Sequence, residues 1–393
     1  MLKNISNNRQ VILYGAFDRY NYGDNLMPIL LEKYFLNNFP EKTSDVDFIF
    51  SSISDSDLSH FDCKPSIAMT KLLKVAEGSI VIVVGGEVLG ADIGTLFLHV
   101  QENLFTSKML RVIRRLTPSL LIFFAKKRYK SVWDYPYIPK KESFENTIKI
   151  AYNTVGGEPN KSQLQVIKSA DFISVRDKRT YKELSELSNR RLVPDSVLMV
   201  SKLININYLA SKVRDDIKAI LENEDFITVQ ACPYKVRFTA RELAQELSGI
   251  VKSKKMKVVL LPIGYASGHD DIVFLEKVQS YANEDLLLLN NLTIWEIMYV
   301  IATSSGFYGT SLHGVITAMS YGVPHFCINS DIKKLVSFLE TWSVAPYNRP
   351  ISGTDISGTF SIITEDSILK IKKSVEHAQK IIFESLDDMA KLF

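Results

Sequence analysis

The stretch from Gly306 to Cys327, GFYGTSLHGVITAMSYGVPHFC, holds the residues best suited to chemistry. A short strand pattern delivers Gly309-Thr310-Ser311 to the start of a helical pattern, with His313 in the first turn and Gly314 next to it. Free backbone N–H groups, two hydroxyls and the positive end of a helix dipole form an anion site that suits a phosphate. The dipole lowers the proton affinity of a histidine there and a bound anion restores it, so His313 is read as an acid/base near neutral pH. The plainer alternative is a capped surface histidine. His325, between Pro324 and Phe326, reads as a core residue. His269, in Ser267-Gly268-His269-Asp270-Asp271, reads as part of a helix start or a metal ligand, and no His, Asp or Glu spacing makes a convincing metal constellation.

Three further candidates end strands of the first half. Tyr14 to Asn25 reads as a loop after the first strand, with a helix from about Leu26. Its Asn21, Gly23 and Asp24 are ligand candidates, although Asp24 or Asn25 as an N-cap and Gly23 as a turn residue serve equally well. The loop is neither GxGxxG nor a P-loop. Gly85-Gly86-Glu87 follows the strand Val81 to Val84; the glycines permit close backbone approach to a ligand, and the carboxylate can accept from a polyol or take its proton. Ser174-Val175-Arg176-Asp177 puts an arginine at a strand end. Arg176 is read either as an anion clamp or as a structural ion pair with Asp177 or Asp195.

The elements that must hold these residues alternate between short β-branched runs and amphipathic stretches, the pattern of βαβ units and parallel sheets, so the fold class is α/β. Strands are expected at Val11 to Tyr14, Phe48 to Phe50, Ile80 to Val84, Ile148 to Tyr152, Phe172 to Val175 and Leu192 to Val193. After a polar helical stretch, Tyr208 to Leu221, the rhythm resumes at Phe226 to Gln230, Val258 to Pro262, Leu286 to Leu289, Phe307 to Tyr308 and Phe326 to Ile328. Two Rossmann-like domains facing a cleft, residues 1–204 and 205–393, are the expected architecture, with the last helix, Ile368 to Lys391, crossing back to brace the first.

The 393 residues, 46% hydrophobic and 23% charged, exclude a disordered or fibrous chain. A formal charge of +3 is too small to imply nucleic-acid binding. Cys63, Cys232 and Cys327 form no CxxC pattern, which fits a reducing cytoplasm. No apolar run reaches the ~20 residues of a spanning helix. One segment departs from the average. Asn103 to Trp133 contains no acidic residue while Lys108, Arg111, Arg114, Arg115, Lys126, Lys127, Arg128 and Lys130 alternate with apolar and aromatic residues. It reads as an interfacial membrane segment or an anionic-ligand rim, or as a solvated helix with a buried face.

Taken in order, Asn21-Tyr22-Gly23-Asp24, Val83-Val84-Gly85-Gly86, Ile173 to Asp177, Pro194-Asp195, Ser311-Leu312-His313-Gly314 and Gly322-Val323-Pro324 resemble the polysaccharide pyruvyl transferase family over about residues 10 to 340. The resemblance implies a GT-B-like fold and transfer of a pyruvyl group from phosphoenolpyruvate to two hydroxyls of a sugar, giving a ketal on a cell-surface polysaccharide or its lipid-linked precursor. It implies His313 as acid/base and phosphate contact. The family's usual Arg-Leu-His is Ser311-Leu312-His313 here, so either the missing charge falls to Arg176 or to a lysine such as Lys333, or the donor differs from phosphoenolpyruvate. Asp24 or Glu87 is expected on the acceptor side, and Asn21, Gly23, Gly85, Gly86, Thr310, Ser311 and Gly314 are expected to line the substrates. The scheme requires no metal and no cofactor. A nucleotide-sugar glycosyltransferase and a non-catalytic carbohydrate-binding relative are the alternatives.

Overall fold

The structure, a computed structural model, describes residues 8–99, 101, 104–222, 224–265 and 271–393. His269 lies outside them. Eight strands of the first half form one parallel sheet: β1 (Arg9–Tyr14), β2 (Val46–Ser52), β3 (Ile67–Ala68), β4 (Ile80–Val83), β5 (Gly86–Leu89), β6 (Lys149–Gly157), β7 (Phe172–Val175) and β8 (Arg190–Leu192), in the order β3-β2-β1-β4-β6-β7-β8 with β5 beside the end of β6. Five strands of the second half, β9 (Phe226–Gln230), β10 (Lys257–Leu260), β11 (Leu287–Leu288), β12 (Gly306–Gly309) and β13 (His325–Cys327), form a second parallel sheet ordered β11-β10-β9-β12-β13.

Period-two alternation sorts the apolar residues of β1 and β4. Val11, Leu13, Ile80 and Ile82 face one core, while Ile12, Tyr14, Val81 and Val83 face another. The first of these cores does not stop at the sheet. It runs through the helix Tyr22–Asn38 into the residues packed around β9 and β12, so one continuous apolar interior ties the two sheets together. The helix Glu365–Met389 packs along the same core, and beyond it the Lys42 ammonium donates to the Ala390 carbonyl at 2.7 Å and Phe35 packs edge-on to Phe393.

Two backbone departures shape the site. Gly85 and Gly86 take φ of +130° and +86°, where only glycine is comfortable, and this jog restarts the strand as β5 on a new path. Opposite it, β6 carries a register shift after Tyr152, with Thr154 at φ +46°, before pairing with β5 and the end of β7. The long stretch Lys149–Gly157 therefore continues as strand where Asn, Thr and Gly read as a loop.

Candidate active site

In parallel α/β sheets ligands gather at the carboxyl ends of the strands. Here those ends, from both sheets, open on one cavity of about 400 Å³. Gly15 and Ala16 after β1, Gly85, Gly86 and Glu87 around the jog, and Arg176 after β7 line one wall; Gln230, Ile263, Ser311 and His313 line the other. Asn21 and Asp24 complete the first wall, and Lys235, Asp271 and Lys334 the second.

The helix of the first wall begins at Tyr22, four residues before the expected start. Asn21 is its N-cap, accepting from the Asp24 N–H at 3.5 Å, and the Asn25 amide donates to the carbonyls of Arg19 and Asn21, both at 3.0 Å. Gly23 is thus neither a turn nor a cavity-lining residue. A Cβ there would stand 1.8 Å from Nδ1 of His313, so the missing side chain is what lets the imidazole lie against this helix. The Tyr22 hydroxyl pairs with Thr317 Oγ1 at 2.9 Å, fixing the two helices that meet at this point.

His313 is 10% exposed in the first turn of the helix Leu312–Ser320, with Nε2 3.5 Å from Asp195 Oδ2. Ser311 caps that helix through Gly314 N–H at 3.4 Å. Asp195 is fully buried; its Oδ1 accepts the Val197 N–H at 3.0 Å and its Oδ2 the Arg176 Nη1 at 3.1 Å. Burial would raise this carboxyl, but His313, Arg176 and the Val197 N–H outweigh it and hold it at about 2. A carboxylate behind an imidazole fixes the orientation of the ring at the edge of the cleft, where a histidine can exchange a proton with a bound group.

Arg176 takes the ion-pair alternative. Its guanidinium, 1% exposed, meets Glu87 at 2.7 Å and Asp195 at 3.1 Å, with Asp177 at 4.0 Å. Gly156 leaves the room for this: a Cβ there would stand 2.7 Å from both Arg176 Nε and Glu87 Oε2. Asp177 itself caps the helix Lys178–Glu183 through Thr180 N–H at 2.8 Å. Glu87 is also bound by Arg179 at 2.5 Å, and although burial would raise its carboxyl, Arg176, Lys334 and Arg179 hold it below its usual value. A carboxylate so held is a hydrogen-bond acceptor and a weak base.

Three expected ligands are corrected. The Thr310 hydroxyl accepts from Cys232 N–H at 3.1 Å and donates to Gln230 Oε1 at 3.2 Å, so it is spent inside the second sheet. Gly314 packs on Phe307, where a Cβ would come within 2.6 Å of the ring. Lys333 points to solvent, and the lysine of this helix in the cleft is Lys334. Helical phase decides between them: Lys334 lies one turn before the buried Phe338, and Lys333 lies on the opposite side. Burial, with Lys235 and Arg176 close by, pulls the Lys334 ammonium down to about 8 against the support of Glu87 and Asp24.

Sequence reasoning also missed Lys235, Gln230 and Asp271. Gln230 Nε2 donates to Asp271 Oδ2 at 2.8 Å while its Oε1 accepts the Thr310 N–H at 3.0 Å. Burial pushes the Asp271 carboxyl up to about 6 despite the amide of Gln230 and the N–H groups of Ile263 and Gly264. Its signal, an acidic residue at a helix start, is one that caps share. Among the described residues no group of three His, Cys, Asp or Glu side chains is placed to hold a metal ion. His325 is buried between the Val323 carbonyl at 2.9 Å and Ser343, and burial lowers it to about 4, as a core histidine.

Two parallel sheets whose carboxyl ends close on a shared cleft define a two-domain GT-B-like α/β protein. Solved structures with this arrangement include Staphylococcus aureus MnaA with UDP, 12% identical, TM-score 0.55, covering 98% of each chain. Neisseria meningitidis UDP-GlcNAc 2-epimerase is 12% identical with TM-score 0.52 over 97% of this chain and 100% of its own. Anabaena HepE with UDP-glucose is 9% identical with TM-score 0.50 over 97% and 98%. At such identities the likeness is one of fold. The polysaccharide pyruvyl transferase family model matches residues 21–332, and the chain belongs to that family of transferases. A search of curated proteins finds no match.

Proposed function

We propose that the chain transfers the pyruvyl group of phosphoenolpyruvate to two hydroxyls of one sugar, forming a cyclic ketal and releasing phosphate. The observation that carries this reading is the pairing of His313 with a buried, ionised Asp195 in the same cavity as Lys334 and Lys235. Phosphoenolpyruvate carries a carboxylate and a phosphate, which need cations; Lys334 and Lys235, with the helix N-terminus at Ser311, supply them in place of the family's arginine. His313 protonates the methylene carbon, giving a cationic centre that the first hydroxyl attacks with loss of its proton. Phosphate then leaves, and the second hydroxyl closes the ketal with loss of a second proton. One proton ends on the new methyl group and one on phosphate. Asp24 and Glu87 accept hydrogen bonds from the acceptor hydroxyls, with Asn21, Gly85 and Gly86 giving the sugar close access to backbone. Arg176 acts as a positioning residue, holding Glu87 and Asp195.

The acceptor is a sugar of a cell-surface polysaccharide or its lipid-linked precursor, modified in the cytoplasm where the donor is made. The test is release of phosphate from phosphoenolpyruvate by purified protein with candidate sugar acceptors, together with the mass gain of a ketal on the product. His313→Ala is expected to lower the rate ~10²- to 10⁴-fold. A nucleotide-sugar donor is the second reading, favoured by the UDP and UDP-glucose bound to relatives of the same fold. Stabilisation against heat by UDP-glucose with none by phosphoenolpyruvate would establish it instead.

A further inference from the structure

We infer that the outer face of the helix pair Leu104–Leu116 and Pro118–Tyr129 docks on an anionic lipid bilayer. Fifteen large apolar side chains are exposed among the described residues, and six of them lie within these two helices: Met109, Val112, Leu116, Leu120, Phe123 and Phe124. Elsewhere they lie singly or in twos, such as Tyr234 and Val273 at one shallow pocket, and six together in one helix pair is a larger cluster. Leu116 is 74% and Phe123 62% exposed, beyond what partial burial on this chain explains.

Helical phase makes the cluster a surface. At 3.6 residues per turn, Met109, Val112 and Leu116 fall within about 60° of one another, and Leu120, Phe123 and Phe124 within about 100°. Neighbouring flanks are already used: Leu98, Leu110 and Leu121 share an apolar cluster with Phe97 and Ile113, and Ala125 enters the core of the first sheet. Arg115, Lys127, Arg128 and Lys130 are exposed beside the stripe, Arg111 and Arg114 are exposed on the far side of the first helix, and none of the six makes an ion pair among the described residues. Of the basic side chains described in this segment, Lys126 alone is paired, with Asp134 at 2.8 Å. Apolar side chains flanked by unpaired cations are the composition of an interfacial helix that sinks its apolar side into the headgroup layer while its cations meet lipid phosphates.

Charge decides the occupant. A second copy of this chain seated on the same face by a two-fold axis would set Arg115, Lys127, Arg128 and Lys130 against themselves, which is repulsive. An anionic bilayer complements both the apolar stripe and the charge. The location gives the docking a use, since the helix Ile93–His99, whose Thr95 and Leu96 line the cleft, packs against this pair through Leu98 and through Phe97, 5.9 Å from the Tyr129 ring. The bilayer would lie one helix layer from the cleft, where a lipid-linked sugar could reach it. The docking goes beyond the pyruvyl-transfer reading and its test needs no turnover.

The full chain is sedimented with vesicles of phosphatidylcholine and phosphatidylglycerol in equal parts, and with phosphatidylcholine alone, at low and high salt. Binding is expected to the anionic vesicles, falling at least about tenfold without the anionic lipid or at high salt. The double variant Phe123→Ser/Phe124→Ser and the triple variant Arg115→Gln/Lys127→Gln/Arg128→Gln are each expected to lose binding while melting as the parent does. Equal binding to neutral and anionic vesicles, or no binding, overturns the inference. So does light scattering that shows a dimer in solution broken by the phenylalanine variant.

Discussion

Replacing Gly23 by alanine tests the site through a residue that touches no substrate. Backbone preference alone favours the change, because Gly23 lies in the first turn of the helix Tyr22–Asn38 and alanine is the better helix former by ~1 kcal/mol. The obstacle is His313. The added methyl would stand 1.8 Å from Nδ1, 2.0 Å from Cγ and 2.4 Å from Cβ of the ring. Ordinary contact needs ~3.5 Å, so the imidazole must retreat by roughly 1.7 Å. Nε2 is already 3.5 Å from Asp195, and a shift of that size ends the pairing or carries the ring away from the cleft. A misplacement of ~1 Å commonly costs ~10²-fold in rate, and complete loss of a general acid ~10²- to 10⁴-fold. The expectation is a fall of that order in kcat for phosphate release from phosphoenolpyruvate, with a smaller change in KM for the donor. Melting should move little, since crowding of about 1 to 3 kcal/mol opposes the helix gain. In the double variant Gly23→Ala/His313→Ala the ring is gone and the methyl has room, so it should melt above Gly23→Ala alone while staying inactive. A Gly23→Ala protein with a rate within about threefold of the parent would refute the contact and the role built on it.

Lys334 carries a pH prediction. Its ammonium is held near 8, so donor affinity should fall about tenfold per pH unit above that value, and Lys334→Arg should flatten the profile while Lys334→Met weakens binding at every pH; a flat parent profile in donor titrations would count against it. Asp195 carries a stability prediction. Its folded value, about 2, lies below the unfolded 3.8, so its contribution of about 2 kcal/mol is fully present above pH ~4 and lost as pH falls toward 2; Asp195→Asn should remove that acid limb from the unfolding curve. Arg176→Ala leaves Glu87 and Asp195 without their shared cation and should destabilise the fold by about 3 to 5 kcal/mol in denaturant unfolding, an effect a solvent-facing anion clamp would not produce.

Much of the frame was legible in the chain. The runs Phe172–Val175 and Phe226–Gln230 and the helix Leu312–Ser320 stand where apolar periodicity places them, because each is bounded by residues that end its own element. The helix start at Tyr22 and the extension of β6 to Gly157 were not legible, since Gly, Asn and Asp read locally as turns and only contacts from distant segments, Ile263 to Tyr22 and β5 to β6, hold them in regular structure. His313, Glu87, Asp24 and Arg176 could each be singled out by residue type beside a strand end. What each of them faces was decided by the tertiary fold. The Asp195 carboxylate reaches His313 from 118 positions away, Glu87 reaches Arg176 across 89, and Gly23 and Gly156 are glycines because of side chains remote in sequence. A sequence pattern reports which face of an element is apolar; it carries no term for the distance between two polar groups on different elements, and that distance decides whether an arginine clamps a ligand or closes an ion pair.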